Sequence, residues 1–208
     1  MEDLILYSNP MSRGRIARWM LEEVGAPYRV EMLAYGEAMK SPAFRAINPM
    51  GKVPTIVHSG AVVTECAAIC AYLADAFPQA GLAPAPADRA AYYRWLFFAA
   101  GPLEAAVSNK ALGVVLPPER ERMVGYGNYA LVLDTLETAL AGRDFIAGDR
   151  FTAADVYVGA HLQWGLQFGS IEKRPVFESY AEKLAARPAA MRATALDDAE
   201  AAAMHRPG

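Results

Sequence analysis

"NPMGKVPTIV", residues 48–57, governs the reading of the first third of the chain. Asn48-Pro49-Met50-Gly51 is turn chemistry, Lys52 follows, and Thr55-Ile56-Val57 is a β-type run. Pro54 stands between the lysine and the strand. Proline has no N–H to give to a sheet ladder, so it keeps to strand starts, edges and bulges. Two readings are open here: a proline that simply opens a strand, and a cis Val53-Pro54 bond.

The flanking segments supply the context. "LILY" (4–7) is a short apolar run suited to a buried strand, and 8–12 is a loop. "RGRIARWMLEEVG" carries Ile16, Trp19, Met20 and Val24 at helical spacing, with Gly25 as a stop. "YRVEML" (28–33) alternates as a strand, so the chain opens β-α-β, and a right-handed crossover makes those strands parallel neighbours. Residues 41–47 predict a short helix. Residues 53–57, a turn at Ser59-Gly60 and 61–63 predict a hairpin, and 64–77 a helix.

"PQAGLAPAPADR" (78–89) is rich in proline and reads as a linker. Beyond it every pattern is helical: 90–107, 119–140, the almost wholly apolar 156–168, and 177–186, with an alanine-rich tail after Pro188. The plan is an α/β domain over 1–77, a linker over 78–89 and an all-helical domain over 90–208. "FTAADVYV" (151–158) predicts a capping box, in which Thr152 and Asp155 each accept a backbone N–H, flanked by a staple of Phe151 and Val156.

Bulk properties narrow the function. The 208 residues carry a net charge of −3, with no cluster of Lys and Arg to hold phosphates, which speaks against nucleic acid. The start, "MEDLILYSNP", lacks the basic opening and apolar stretch of a signal peptide. The longest uncharged run, 156–171, is too short and too polar to span a bilayer. A cytoplasmic protein without membrane or metal is expected. Cys66 and Cys70 stand four apart in a helical pattern without companion ligands, and read as small buried thiols.

The order and spacing of these motifs resemble the cytosolic glutathione transferase superfamily. "NPMGKVPTIV" with "TECAAICAYL" resembles its glutathione-binding segment, and "LEEVGAPYRV" and "FTAADVYV" match it further along. The resemblance implies a thioredoxin-like N-terminal domain followed by an all-α helical-bundle domain, and a homodimer. It implies glutathione as co-substrate and a hydrophobic electrophile as its partner. An isomerase, dehalogenase or peroxidase on the same scaffold, or a non-catalytic binding protein, are the alternatives.

The resemblance also implies roles. Pro54 is cis in the family, which presents the N–H and C=O of Val53 to the cysteinyl unit of glutathione. Lys52 would hold the glycyl carboxylate as a point charge. The helix start near Glu65 would bind the γ-glutamyl carboxylate, with Glu65 accepting from the α-ammonium group. The family has Ser or Thr after this position. Here Cys66 offers only a weak S–H donor.

A thiol of pKa about 8.5 is only a few per cent thiolate at pH 7. A hydroxyl donating to sulfur beside a helix N-terminus corrects this. Ser12 is the first candidate, with a plain N-cap role as its alternative. Tyr7 is the second, since some classes use a tyrosine at the end of the first strand; packing is its alternative. Ser8 and Asn9 are further options, and Arg13 and Arg15 either raise the local potential or are solvated. No cysteine precedes Cys66, which argues against thiol oxidoreductase chemistry. Met11, Tyr93, Phe97, Trp164 and Phe168 are the candidate wall of the electrophile pocket.

Overall fold

The computed structural model describes residues 4–204, so the first three residues of the acidic start lie outside the described residues. The chain divides into two compact units. One runs to Leu82 and takes in the chain again from Arg187; the other is Ala83–Ala186. The boundary falls inside the stretch read as a linker. The C-terminal segment, which chain order groups with the helical domain, belongs to the first unit.

In that first unit β1 (Leu4–Ser8) leads into α1 (Gly14–Val24) and β2 (Arg29–Met32), and β1 pairs with β2 in parallel, as the crossover rule requires. Two short helices, α2 (Glu37–Lys40) and α3 (Pro42–Ile47), carry the chain to the antiparallel hairpin of β3 (Thr55–His58) and β4 (Ala61–Thr64). The sheet order is β2-β1-β3-β4. The central β1 is buried on both faces, which explains its unbroken apolar run.

Helix α4 (Cys66–Ala76) follows the hairpin and packs against α1. Helix α1 buries Ile16, Met20 and Val24 with Ala17 and Leu21, and ends at Gly25 in the left-handed conformation (φ 69°). His58 closes the sheet end against α4 through Tyr72 Oη, 3.0 Å from its Nδ1.

The second unit is helical. Helix α5 (Ala90–Phe98) passes through a wide π-type turn at Ala99–Leu103 into α6 (Glu104–Ala111). The sequence pattern predicts one unbroken helix there. Pro102 lacks the N–H that a regular ladder needs, and the wide turn accommodates it. The helix expected from Glu119 begins ten residues later, as α7 (Tyr129–Leu140), where the Asn128 side chain accepts from Leu131 N–H at 2.9 Å. Pro118–Met123 forms a short 3-10 segment, and Gly127 (φ 67°) breaks the chain ahead of the cap.

Helix α8 (Ala153–Phe168) is the centre of the second unit and packs against α5 and α9 (Pro175–Ala185). Its capping box forms as predicted. Asp155 does more than cap: Oδ2 accepts from Thr152 N–H at 2.8 Å, while Oδ1 accepts from Ile146 N–H at 2.8 Å and from the Tyr180 hydroxyl at 2.7 Å. Burial pushes the Asp155 carboxyl up from its ordinary value, and these donors oppose it.

Helix α10 (Pro188–Met204) packs on α1 within the first unit. It buries Ala189, Ala190, Ala193 and Asp197. Among the described residues no helix is long and apolar enough to cross a membrane.

Candidate functional site

Three pieces of the first unit form the site, and the Asn48 turn builds the first. The Asn48 side chain donates to Lys52 O at 2.8 Å and to Thr55 Oγ1 at 3.0 Å, and accepts from Met50 N–H at 3.1 Å. Lys40 Nζ closes the turn from α2 by donating to the carbonyls of Met50 and Gly51, each at 2.9 Å. Gly51 has φ 57°, and a Cβ there would lie 2.5 Å from the Met39 carbonyl, so only glycine fits. This turn delivers an exposed Lys52 and a cis Val53-Pro54 bond. The ladder between β1 and β3 ends at the pair Tyr7–Thr55, so the N–H and C=O of Val53 lie beyond it.

The second piece is the start of α4. Glu65 is exposed and holds φ 64°, ψ 119°, a conformation that non-glycine residues rarely adopt. It stands where α4 begins, at the positive end of the helix dipole. Cys66 is buried, with its Sγ 3.8 Å from the Arg13 carbonyl. The thiol therefore points to the start of α1 rather than outward. Burial pushes the Cys70 thiol well above its ordinary value, as a packed, inert cysteine requires.

The third piece is the loop between β1 and α1. Asn9 anchors it. Its side chain donates to Leu33 O at 2.8 Å beyond the end of β2 and accepts from Met11 N–H at 2.9 Å. Ser12 is 8% exposed; its hydroxyl donates to Asn9 O at 2.7 Å and accepts from Gly14 N–H at 2.9 Å. Its one proton is thus already given to a carbonyl. Ser8 is fully buried, and its Oγ has no hydrogen-bond partner among the described residues. The Tyr7 ring packs on Phe44, with centroids 5.5 Å apart. Arg15 Nε donates to Pro10 O at 2.6 Å.

The predicted pocket residues divide between the units. Met11 lies on the loop before α1 and is exposed. Tyr93 and Phe97 stand on α5 and Phe168 on α8, all exposed, so none of the three is a core residue. Trp164 is half-buried and meets Phe168 edge-on, with ring centroids 6.0 Å apart. A separate cleft of about 500 Å³ in the second unit is lined by Arg94, Trp95, Asp134 and Arg143 among others, and none of the predicted pocket residues borders it.

Read from the sequence, Asn48 is turn chemistry without a stated partner, and no role falls to Lys40 or to Tyr35, whose hydroxyl donates to Met11 O at 3.1 Å. The signal for Asn48 was available: an Asn that opens a tight turn holds the turn's own N–H groups. Lys40 acts across ten and eleven residues and Tyr35 across twenty-four, so neither leaves a local signal.

A thioredoxin-like α/β unit with this turn, followed by a helical unit, defines the class of protein. Residues 11–76 match the glutathione S-transferase N-terminal domain, and 118–164 match the C-terminal domain. The chain is 32% identical to glutathione S-transferase 3 of Zea mays over 206 residues, covering 91% of this chain and 92% of that protein. A sphingomonad glutathione S-transferase, solved in complex with glutathione, superposes with a TM-score of 0.74 at 30% identity, covering 93% of this chain and 98% of the other. A glutathione transferase from Methylococcus capsulatus gives 0.77 at 28% identity, covering 94% and 98%. The chain belongs to the glutathione S-transferase family.

Proposed function

We propose that this glutathione transferase binds glutathione along the Lys52–Pro54 turn and the start of α4, and activates its thiol from Ser12 for attack on a hydrophobic electrophile. The observation that carries the reading is the meeting of two helix starts. Cys66 at the head of α4 touches the Arg13 carbonyl at the head of α1. A ligand whose carboxylate sits on the α4 N–H groups therefore has its other groups within reach of the Ser12 loop. Lys52 supplies a cation for the glycyl carboxylate, Val53 the backbone bridge, and Glu65 the acceptor for the ammonium group.

With Cys66 turned to Arg13, its backbone N–H and not its thiol serves the γ-glutamyl carboxylate. For Ser12 to act on sulfur, its hydroxyl must turn away from Asn9 O. A hydroxyl donates more strongly to thiolate than to thiol, so it lowers the thiol's pKa more than it raises total affinity. The exposed faces of Tyr93, Phe97 and Phe168 suit an apolar electrophile. The chain assembles as a two-fold homodimer, for which light scattering should give twice its 22.5 kDa mass.

The test is the thiolate absorbance of the protein–glutathione complex against pH. Ser12→Ala should raise the thiol's pKa with little change in calorimetric affinity, Tyr7→Phe should leave both in place, and Glu65→Ala should weaken binding several-fold. A titration moved by Tyr7→Phe and not by Ser12→Ala reverses the two roles. An unchanged affinity in Glu65→Ala removes the binding assignment.

A further inference from the structure

Helix α1 presents two arginines one turn apart, Arg15 and Arg18, to two adjacent aspartates of α10, Asp197 and Asp198. The two pairs differ in kind. Arg18 and Asp197 are buried, with Nε 3.0 Å from Oδ1. Their polar atoms approach without hydrogen-bond geometry, so the contact is one of charge. It sets the rotation of α10 about its axis, because any other rotation strands a buried charge. That rotation places the next residue, Asp198, over Arg15, with Nη2 donating to Oδ1 at 2.8 Å.

Arg15 is bound at both ends. While Nη2 holds Asp198, Nε donates to the Pro10 carbonyl at 2.6 Å. The Pro10–Met11 peptide is therefore gripped twice: its carbonyl by Arg15, and its N–H by Asn9 Oδ1 at 2.9 Å. The next residue is Ser12. A guanidinium suits this task because its donors form a rigid planar fork, whereas a lysine has one ammonium for both acceptors.

We propose that Arg15 is a positioning residue for the thiol-activating loop, and that the C-terminal helix sets it through Asp198. The inference rests on the role proposed for Ser12. Helix α10 is then part of the glutathione site although it supplies no group to the ligand. Its charge pairs hold Arg15, Arg15 holds the Pro10–Met11 peptide, and that peptide aims the Ser12 hydroxyl. Loss of Asp198 frees the far end of Arg15, and loss of Arg15 frees the loop.

The experiment compares Arg15→Gln, Arg15→Lys and Asp198→Asn with Arg192→Gln. Arg192 joins the same two helices through Glu22, at 3.1 Å, without touching the loop. Each variant is measured for melting temperature, for glutathione affinity and for the pKa of the bound thiol. Arg15→Gln should raise that pKa by about one unit, a tenfold shift in the thiol–thiolate equilibrium, while affinity changes less than about threefold. Asp198→Asn should move it in the same direction by a smaller step, Arg15→Lys should fail to restore it, and Arg192→Gln should leave it in place. Amide exchange at Met11 and Ser12, measured without glutathione, should quicken in the Arg15 and Asp198 variants alone. If melting temperatures fall alike in all four and neither thiol pKa nor loop exchange moves in the Arg15 and Asp198 variants, the pairs only fasten α10 and the positioning role is overturned. If the wild-type complex does not lower the thiol's pKa, the function proposed for Ser12 falls and this role with it. A lowered wild-type pKa that the Arg15 and Asp198 variants share removes the positioning role alone.

Discussion

Gly14 opens α1 directly beneath the Ser12 loop, and Gly14→Ala tests how tightly that loop is packed. Two effects oppose each other. Alanine is favoured over glycine in a helix by up to about 1 kcal/mol. Against this, an added Cβ would lie 2.0 Å from Ser8 Oγ, 3.0 Å from Ser12 Oγ and 3.1 Å from Ser8 Cβ. Ser8 is fully buried, so its hydroxyl has no solvent to turn into. Overpacking of this kind costs about 1–3 kcal/mol. The clash should win, with a net loss of roughly 1–2 kcal/mol and a melting temperature lower by a few degrees. Ser8→Ala isolates the cause, because it removes the atom at 2.0 Å and leaves the rest. Alone it should be neutral or slightly stabilising, since a buried hydroxyl without a partner costs free energy. In the Ser8→Ala background, Gly14→Ala should cost at least about 1 kcal/mol less than in wild type, a coupling well outside additivity. Urea midpoints of the four proteins give this cycle. Additive effects, or a Gly14→Ala protein more stable than wild type, would refute the packing argument.

Asp155→Ala strands four buried donors, the N–H groups of Ile146 and Thr152 and the hydroxyls of Thr152 and Tyr180. At about 1–2 kcal/mol for each, the loss should exceed about 3 kcal/mol, and a urea midpoint within experimental error of wild type would show that the cluster is not the anchor of α8. Burial pushes the Asp197 carboxyl up to about 6, against the pull of Arg18 and Arg15. The folded chain thus binds this proton more tightly than the unfolded chain. The group's contribution is fully present below about pH 4 and is lost as pH rises through 6, to the extent of roughly 2–3 kcal/mol. Urea unfolding from pH 4.5 to 7.5 should therefore show wild type losing stability relative to Asp197→Asn as pH rises, and the opposite slope would mean that the ion pair with Arg18 outweighs burial.

The glutathione site proposed here is legible in the sequence because its parts are local. Lys52, Pro54 and Glu65 belong to one turn–hairpin–helix run, where backbone needs select residue types that can be read in order. The loop that carries Ser12 is different. The position of Ser12 at a helix start follows from the sequence, but its hydrogen bonds to Asn9 O and Gly14 N–H do not. Nor does the packing of Tyr7 on Phe44, which depends on a helix thirty-seven residues away.

Pattern and punctuation were enough for the β-α-β start, the hairpin, the capping box and the sites of most helices. Each is a local balance between periodic burial and turn chemistry, and each leaves its trace within a dozen residues. The C-terminal helix shows where that information ends. Its buried face is alanine and aspartate, so no apolar stripe marks it, and chain order assigns it to the helical domain. Only the fold brings Asp197 and Asp198 to Arg18 and Arg15, across some 180 residues. Charge pairing between distant segments has no periodicity along the chain, and tertiary packing alone selects which aspartate meets which arginine.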